Sequence, residues 1–246
     1  MRESGYILAQ DPDRVVIVTG CGRRSTNVKT GGMLQVWILA KAQNPLAAIK
    51  SGLDALVCGD CPHKGGACYV RVHQAPLGIW RKRARGGYKY LPKYQYADVF
   101  SGRIVRWGAY GDPFYIPLDV IRWASFYADG HTGYTHQWRQ ASASALMPFL
   151  MASTDSEQER LQASRMGWRT FRVRATSAPL MPGEITCPAS GEAGKRTTCA
   201  NCQLCDGNTA RGIRKDITIL AHGMQARKFA PRNANTLVQI SLGKVA

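Results

Sequence analysis

Short β-branched and apolar runs, separated by clusters of Gly, Pro, Asn and Ser, punctuate this chain from its start. Residues 15–19 (Val-Val-Ile-Val-Thr) and 33–40 (Met-Leu-Gln-Val-Trp-Ile-Leu-Ala) read as strands, with a turn-prone stretch from Gly20 to Gly32 between them. Asn44-Pro45 puts a capping side chain ahead of a proline in the first turn, which predicts a helix ending at Gly52. Residues 53–57 then lead directly into Cys58. Farther along, helical spacing over 75–85, 118–127 and 156–166, the last with Asp155 as its cap, alternates with strand-like runs. Those runs fall at 104–108, 133–138, 149–152, 170–174, 184–186 and 217–221.

Strands alternating with helices of about ten residues argue for a parallel sheet. No Gly-rich phosphate fingerprint opens any of the helices, so a β/α barrel, partial or complete, is expected in preference to a doubly wound sheet. The expected architecture is a single α/β domain. Residues 1–52 form a β-rich entry, 53–186 the β/α core, and 187–246 a Cys-rich metal-binding loop with the last strand and a basic tail.

Composition narrows the class. The 246 residues, 45% hydrophobic and 20% charged, suffice for one substantial core and exclude disorder, collagen or a small disulfide scaffold. No apolar run approaches the roughly 18 residues of a spanning helix, and the first residues lack a signal-peptide pattern. A protein of a reducing compartment, the cytoplasm, is expected.

In that compartment the eight cysteines need a reason other than disulfides. Seven fall in two groups, Cys58, Cys61 and Cys68, then Cys187, Cys199, Cys202 and Cys205, while Cys21 stands apart as a plain buried or loop thiol. A C-x2-C spacing lets two thiolates reach one metal. In the second group the C-x2-C-x2-C run resembles ferredoxin-type spacing, which favours a [4Fe–4S] cluster, with zinc as the alternative. The first group offers three thiolates. It is a closed zinc site if His63 or His73 completes it, and otherwise a cluster with one iron open to an external ligand. Too little apolar surface surrounds Cys199, Cys202 and Cys205 to shape that loop, so a shared metal is expected to fold it.

The order of elements, with a strand, a three-cysteine loop ending Cys68-Tyr69, a helix and a strand closing in Gly108-Ala-Tyr-Gly111-Asp112-Pro113, resembles the radical S-adenosylmethionine (SAM) enzymes. The resemblance spans roughly residues 53–221. It implies a [4Fe–4S] cluster on Cys58, Cys61 and Cys68 whose open iron binds SAM, with Gly108, Gly111 and Asp112 at the SAM amino group. Ser153 and Asp155, flanking Thr154, fall at a ribose-contact position, and the second cysteine group matches an auxiliary cluster. The C-x2-C-x6-C spacing departs from the usual C-x3-C-x2-C of that family. The two cysteine segments are also similar to a bacteriophage-borne family of uncharacterised proteins, which implies a phage origin and residence in the host cytoplasm.

Thirty-three Lys and Arg against sixteen Asp and Glu give a formal charge of +17. Between Asp60 and Asp98 stand eight basic residues and no acid, with six aromatics interleaved. Arg81, Lys82, Arg83, Arg85, Lys89 and Lys93 are therefore candidate contacts to a nucleic acid. Residues 207–246 continue the bias, with seven basic residues against Asp216. His131 and His136 read as packed or surface histidines, and Asp112 as a turn residue or a ligand contact. Catalytic residues, substrate and oligomeric state are not legible. Two readings result: a radical-SAM-like iron–sulfur protein acting on or near a nucleic acid, and a non-enzymatic, zinc- or cluster-stabilised nucleic-acid-binding module.

Overall fold

The structure is a computed structural model and describes residues 3–22, 27–175, 178–208 and 215–230. It is a mixed α/β chain built on two sheets that share one strand segment. Strands β1 (Gly5–Gln10), β2 (Arg14–Thr19) and β3 (Leu34–Ala40) run antiparallel in sequence, and β4 (Lys89–Tyr90) pairs parallel to β1 at the edge. On its other side β3 pairs parallel with β5 (Ile104–Tyr110), and β5 with β6 (Gly130–Thr132). In the second sheet β7 (Tyr134–Thr135), β8 (Met151–Thr154), β9 (Thr170–Arg174), β10 (Glu184–Thr186) and β11 (Asp216–Leu220) are parallel, in the order β10-β11-β9-β8-β7.

Gly133 joins the two sheets. It separates β6 from β7, donates its N–H to the Cys205 carbonyl (3.0 Å) and accepts from the Met151 N–H (3.0 Å). A Cβ there would stand 2.5 Å from Leu150 Cδ2 and 2.9 Å from Trp107 Cβ, so only glycine fits between the strands. A parallel run thus extends from β3 through β5, β6/β7, β8, β9 and β11 to β10. Among the described residues the edge strands β4 and β10 are not paired with each other, so barrel closure is not part of the observed sheet.

All seven residues of β3 are buried, as expected of a strand covered on both faces. Helix α1 (Pro45–Ser51) starts as its sequence predicts: Asn44 Oδ1 accepts the Leu46 and Ala47 N–H groups at 3.1 Å, and Gly52 closes the helix at φ 79°. The segment before Cys58 forms a one-turn helix, α2 (Ala55–Cys58), so the first cysteine group follows α1 and α2 rather than a strand end. Helix α3 (Ala75–Ala84) carries the basic run, and α4 (Tyr96–Phe100) buries Tyr96 and Phe100. Helix α5 (Leu118–Tyr127) sends Val120, Ile121 and Ala124 into the same core as Val105, Trp107 and Ala109, the outward face of β5.

Helix α6 (Glu157–Arg165) is capped by Ser156, whose Oγ accepts the Glu159 N–H (3.2 Å), and not by Asp155. Glu159 Oε2 reaches back to the Asp155 N–H (2.7 Å), completing a capping-box arrangement one residue later than the sequence suggested. That arrangement frees the Asp155 carboxylate for a different contact. The last short helix, α7 (Cys199–Cys202), is capped by Thr198. No helix among the described residues is long and apolar enough to cross a membrane.

Candidate functional site

Alternate residues of the parallel strands face one cavity of about 360 Å3. Arg106, Gly108 and Tyr110 of β5, Phe171 and Val173 of β9, and Ile219 of β11 supply its walls. Chain just past the strand ends completes it: Gly111 and Asp112 after β5, His136 after β7, and Ala221 and His222 after β11. Carboxyl ends of parallel strands, where loops converge, are where α/β proteins place their sites. Cys58, Cys61 and Cys68 all line this cavity.

Two backbone contacts bring the cysteine loop there. Asp112 donates its N–H to the Val57 carbonyl at 2.7 Å. Gly111, at φ 79°, packs so closely that a Cβ would lie 2.7 Å from Ile38 Cβ and 3.2 Å from the Val57 oxygen. The turn predicted to contact SAM is thus fastened to the cysteine segment and to β3. The Asp112 carboxylate is occupied within that turn, accepting from the Phe114 N–H (3.0 Å) and the His136 N–H (2.8 Å). Burial raises Asp112 to about 6, against the lowering effect of the hydrogen bonds from Thr135, Phe114 and His136.

Ser153 lines the cavity, and its carbonyl accepts the Trp138 indole N–H at 2.9 Å. Asp155 does not line it. This buried carboxylate accepts His63 Nε2 at 2.8 Å and lies 3.8 Å from His136 Nε2. Among the described residues, His63, His136 and Asp155 are the one set of three potential ligand atoms lying within 4.8 Å of one another. His63 is engaged by Asp155 through Nε2, and His73 is exposed at the surface. Sequence reading missed this trio because its members are scattered along the chain, and it took His136 for an ordinary packed residue. His131 is a packed residue, with Nε2 3.1 Å from the Asp206 carbonyl.

Burial holds all three thiols up, Cys58 to about 12, Cys61 well above and Cys68 above the usual thiol range, and Cys58 is raised further by Cys68. Burial thus keeps these thiols protonated in the absence of a bound cation. A tetrahedral zinc needs sulfurs only about 3.8 Å apart, given Zn–S bonds of about 2.3 Å. Neither cysteine group gathers three ligand atoms within 4.8 Å.

The second group shares a cleft without gathering its sulfurs within 4.8 Å. Cys187, Cys199, Cys202 and Cys205 line a cleft of about 20 Å3, and Tyr134 of the main cavity is hydrogen-bonded to Cys205. Burial raises Cys187, Cys199 and Cys205. Backbone contacts hold the loop independently of any metal: Cys199 and Ala200 donate to the carbonyls of Lys29 (2.8 Å) and Thr30 (3.2 Å), and Cys187 to that of Thr218 (2.8 Å). These bonds share in holding a loop whose shape the sequence expectation assigns to a metal alone. Cys21 is half-buried and raised to about 11 by burial. Among the described residues no disulfide joins any cysteines.

Of the basic residues proposed for nucleic acid, Lys82 bonds Ser4 Oγ (2.6 Å) and sits over the Tyr88 ring, and Arg83 bonds the Lys41 carbonyl (3.3 Å). Lys89 pairs with Glu3 at 3.1 Å, and Lys93 pairs with Asp119. Arg81 and Arg85 are exposed, whereas Arg211, Arg214, Arg232 and Lys244 lie outside the described residues. Comparison of the chain with models of protein families, with curated proteins and with solved structures finds no match.

Proposed function

We propose that this cavity is the active site of an iron–sulfur protein of radical-SAM-like design. The observation that carries the reading is the meeting of Cys58, Cys61 and Cys68 with Gly108, Gly111, Asp112 and Ser153 around one cavity at the carboxyl ends of parallel strands. Sequence alone separates these residues by up to 95 positions.

Cys58, Cys61 and Cys68 would hold the cluster, with a fourth position for an external ligand. A cluster with bound SAM supplies one-electron reductive cleavage to a 5′-deoxyadenosyl radical. The chain's own part is positioning and shielding. Gly111 and Asp112 clamp the β5 turn against the cysteine segment, and Phe171, Val173 and Ile219 line the cavity with apolar surface that excludes water from a reactive carbon centre. Cys187, Cys199, Cys202 and Cys205 would hold an auxiliary cluster. The incomplete parallel run is the partial-barrel form of the fold. A polyanionic partner remains part of the proposal, with Arg81 and Arg85 as its exposed contacts and the +17 charge as its support.

A second reading is favoured by the His63, His136 and Asp155 trio. Two imidazoles and a carboxylate with ligand atoms within 4.8 Å of one another match the donor set of a mononuclear metal site of the facial type. Anaerobic purification with metal analysis tests both. Brown protein absorbing near about 400 nm with iron and sulfide supports the cluster reading. Colourless protein whose bound metal is lost on His136→Ala but kept on Cys61→Ser supports the trio and overturns the cluster.

A further inference from the structure

The cavity carries a charge imbalance that its cysteines do not explain by position alone. Arg106 and Lys29 line it beside His222, whose protonation burial and these two cations disfavour, and the single acidic residue among the described lining residues is Asp112, whose carboxylate already caps its own turn. Arg106 donates to Tyr69 Oη (2.5 Å) and, at 3.4 Å, to Gln35 Oε1. Neither partner is charged, and a guanidinium has five N–H donors to place. Tyr69 follows Cys68 directly, and its ring stacks on His222 at 5.4 Å between centroids. Among the described residues neither Arg106 nor Lys29 has a carboxylate partner. Two cations in a half-buried wall with no carboxylate partner leave a place for an anionic group.

An adjoining groove of about 800 Å3 shares Asn27, Lys29, Ala221 and His222 with the cavity and adds Lys195 and Arg196. Its one acidic lining residue, Glu192, is paired with Arg174. The basic wall therefore stands at the boundary between an apolar cavity and an open cationic groove.

We propose that Arg106 and Lys29 form an anion subsite that binds the phosphate of a small phosphorylated substrate, seated between groove and cavity. The inference rests on reading the cavity as the active site, but not on which metal centre the cysteines hold. The competing source of negative charge is the Cys199 thiolate group, for which Arg106 and Lys29 would then be counter-ions.

Isothermal titration of anaerobically purified full-length protein with adenosine 5′-monophosphate, adenosine and inorganic phosphate separates these cases. The expected result is that the monophosphate binds at least about tenfold more tightly than adenosine, since a charge-assisted pair is being gained. Arg106→Gln and Lys29→Gln should each abolish that preference while iron content and thermal midpoint stay at wild-type values. Arg106→Lys should restore part of it. The inference is overturned if wild type does not distinguish the monophosphate from adenosine, or if the Gln variants lose metal while the preference is unchanged. A protein without iron that keeps the preference would sink the cluster reading and leave the subsite standing.

Discussion

His63 Nε2 lies 2.8 Å from Asp155 Oδ1, a contact that bridges 92 positions of sequence. It ties the loop between Cys61 and Cys68 to the end of β8 and the first turn of α6. The loop's own bonds are short-range, with Gly66 and Cys68 donating to the His63 carbonyl at 3.0 Å. They shape the loop without fixing its place on the sheet.

Asp155→Ala should therefore lower unfolding free energy by about 2 kcal/mol, the cost of stranding a buried partner. It should also reduce metal retained by the first cysteine group while leaving the second unaffected. Denaturant titration with metal analysis checks this, and unchanged metal in the first group would show that the pin is dispensable.

Gly111→Ala combines two penalties, a left-handed backbone position and a Cβ 2.7 Å from Ile38 Cβ. Together they should cost about 3 kcal/mol or more. Because the same glycine clamps the β5 turn to the cysteine segment, SAM affinity should fall with stability. Gly102→Ala, with φ 71° but open space around it, should cost only the backbone part.

Glu184 gives a pH signature. Its buried carboxylate accepts from Arg172 Nε (2.7 Å) and Nη2 (2.6 Å) and lies 3.4 Å from Arg160 Nε. Burial alone would raise this group, but the Arg172, Met181 and Arg160 contacts hold it below 4.5. The folded value being the lower one, its stabilisation is complete above the unfolded value and is lost as pH falls through the folded value. Unfolding free energy should thus drop below about pH 4.5 in wild type. Glu184→Gln should cost about 3–5 kcal/mol at neutral pH, as expected when one partner of a buried pair is removed, and flatten that slope. Stability curves across pH 3–7, about four units, suffice to see it.

The two cysteine groups should differ in consequence. Cys61→Ser should leave a folded protein lacking one cluster and any SAM binding. Cys202→Ser should lower stability, but less than a metal-only loop would require, because Cys199, Ala200 and Cys187 keep their backbone bonds to Lys29, Thr30 and Thr218. Iron per chain and thermal midpoints of both variants decide the matter. Wild-type iron in Cys202→Ser would remove that residue from the ligand set.

Much of the framework was legible because it is written locally. The β-branched run of β2, the Asn44-Pro45 start of α1 and the apolar spacing of α5 each carry their signal within one element. The cysteine groups stood out by spacing, and the Gly108–Pro113 turn by its glycines. What escaped depends on distance in the chain. Ser156 took the cap because the Asp155 carboxylate turns to His63, a partner 92 positions away. Residues 55–58 coil into a helical turn that hands its Val57 carbonyl to Asp112. Arg106 is one charge among many in sequence, and only the alternation of β5 turns it into the cavity wall beside Lys29.

Cys58, Cys61 and Cys68 are proposed to hold a cluster open to SAM. Low-temperature electron paramagnetic resonance of the dithionite-reduced, anaerobically purified protein tests it most directly, recorded with and without SAM. The account predicts a reduced-cubane signal that changes shape when SAM is added to wild type and does not change in Cys61→Ser. A protein containing zinc and no iron, or a wild-type cluster signal that SAM leaves untouched, would contradict it.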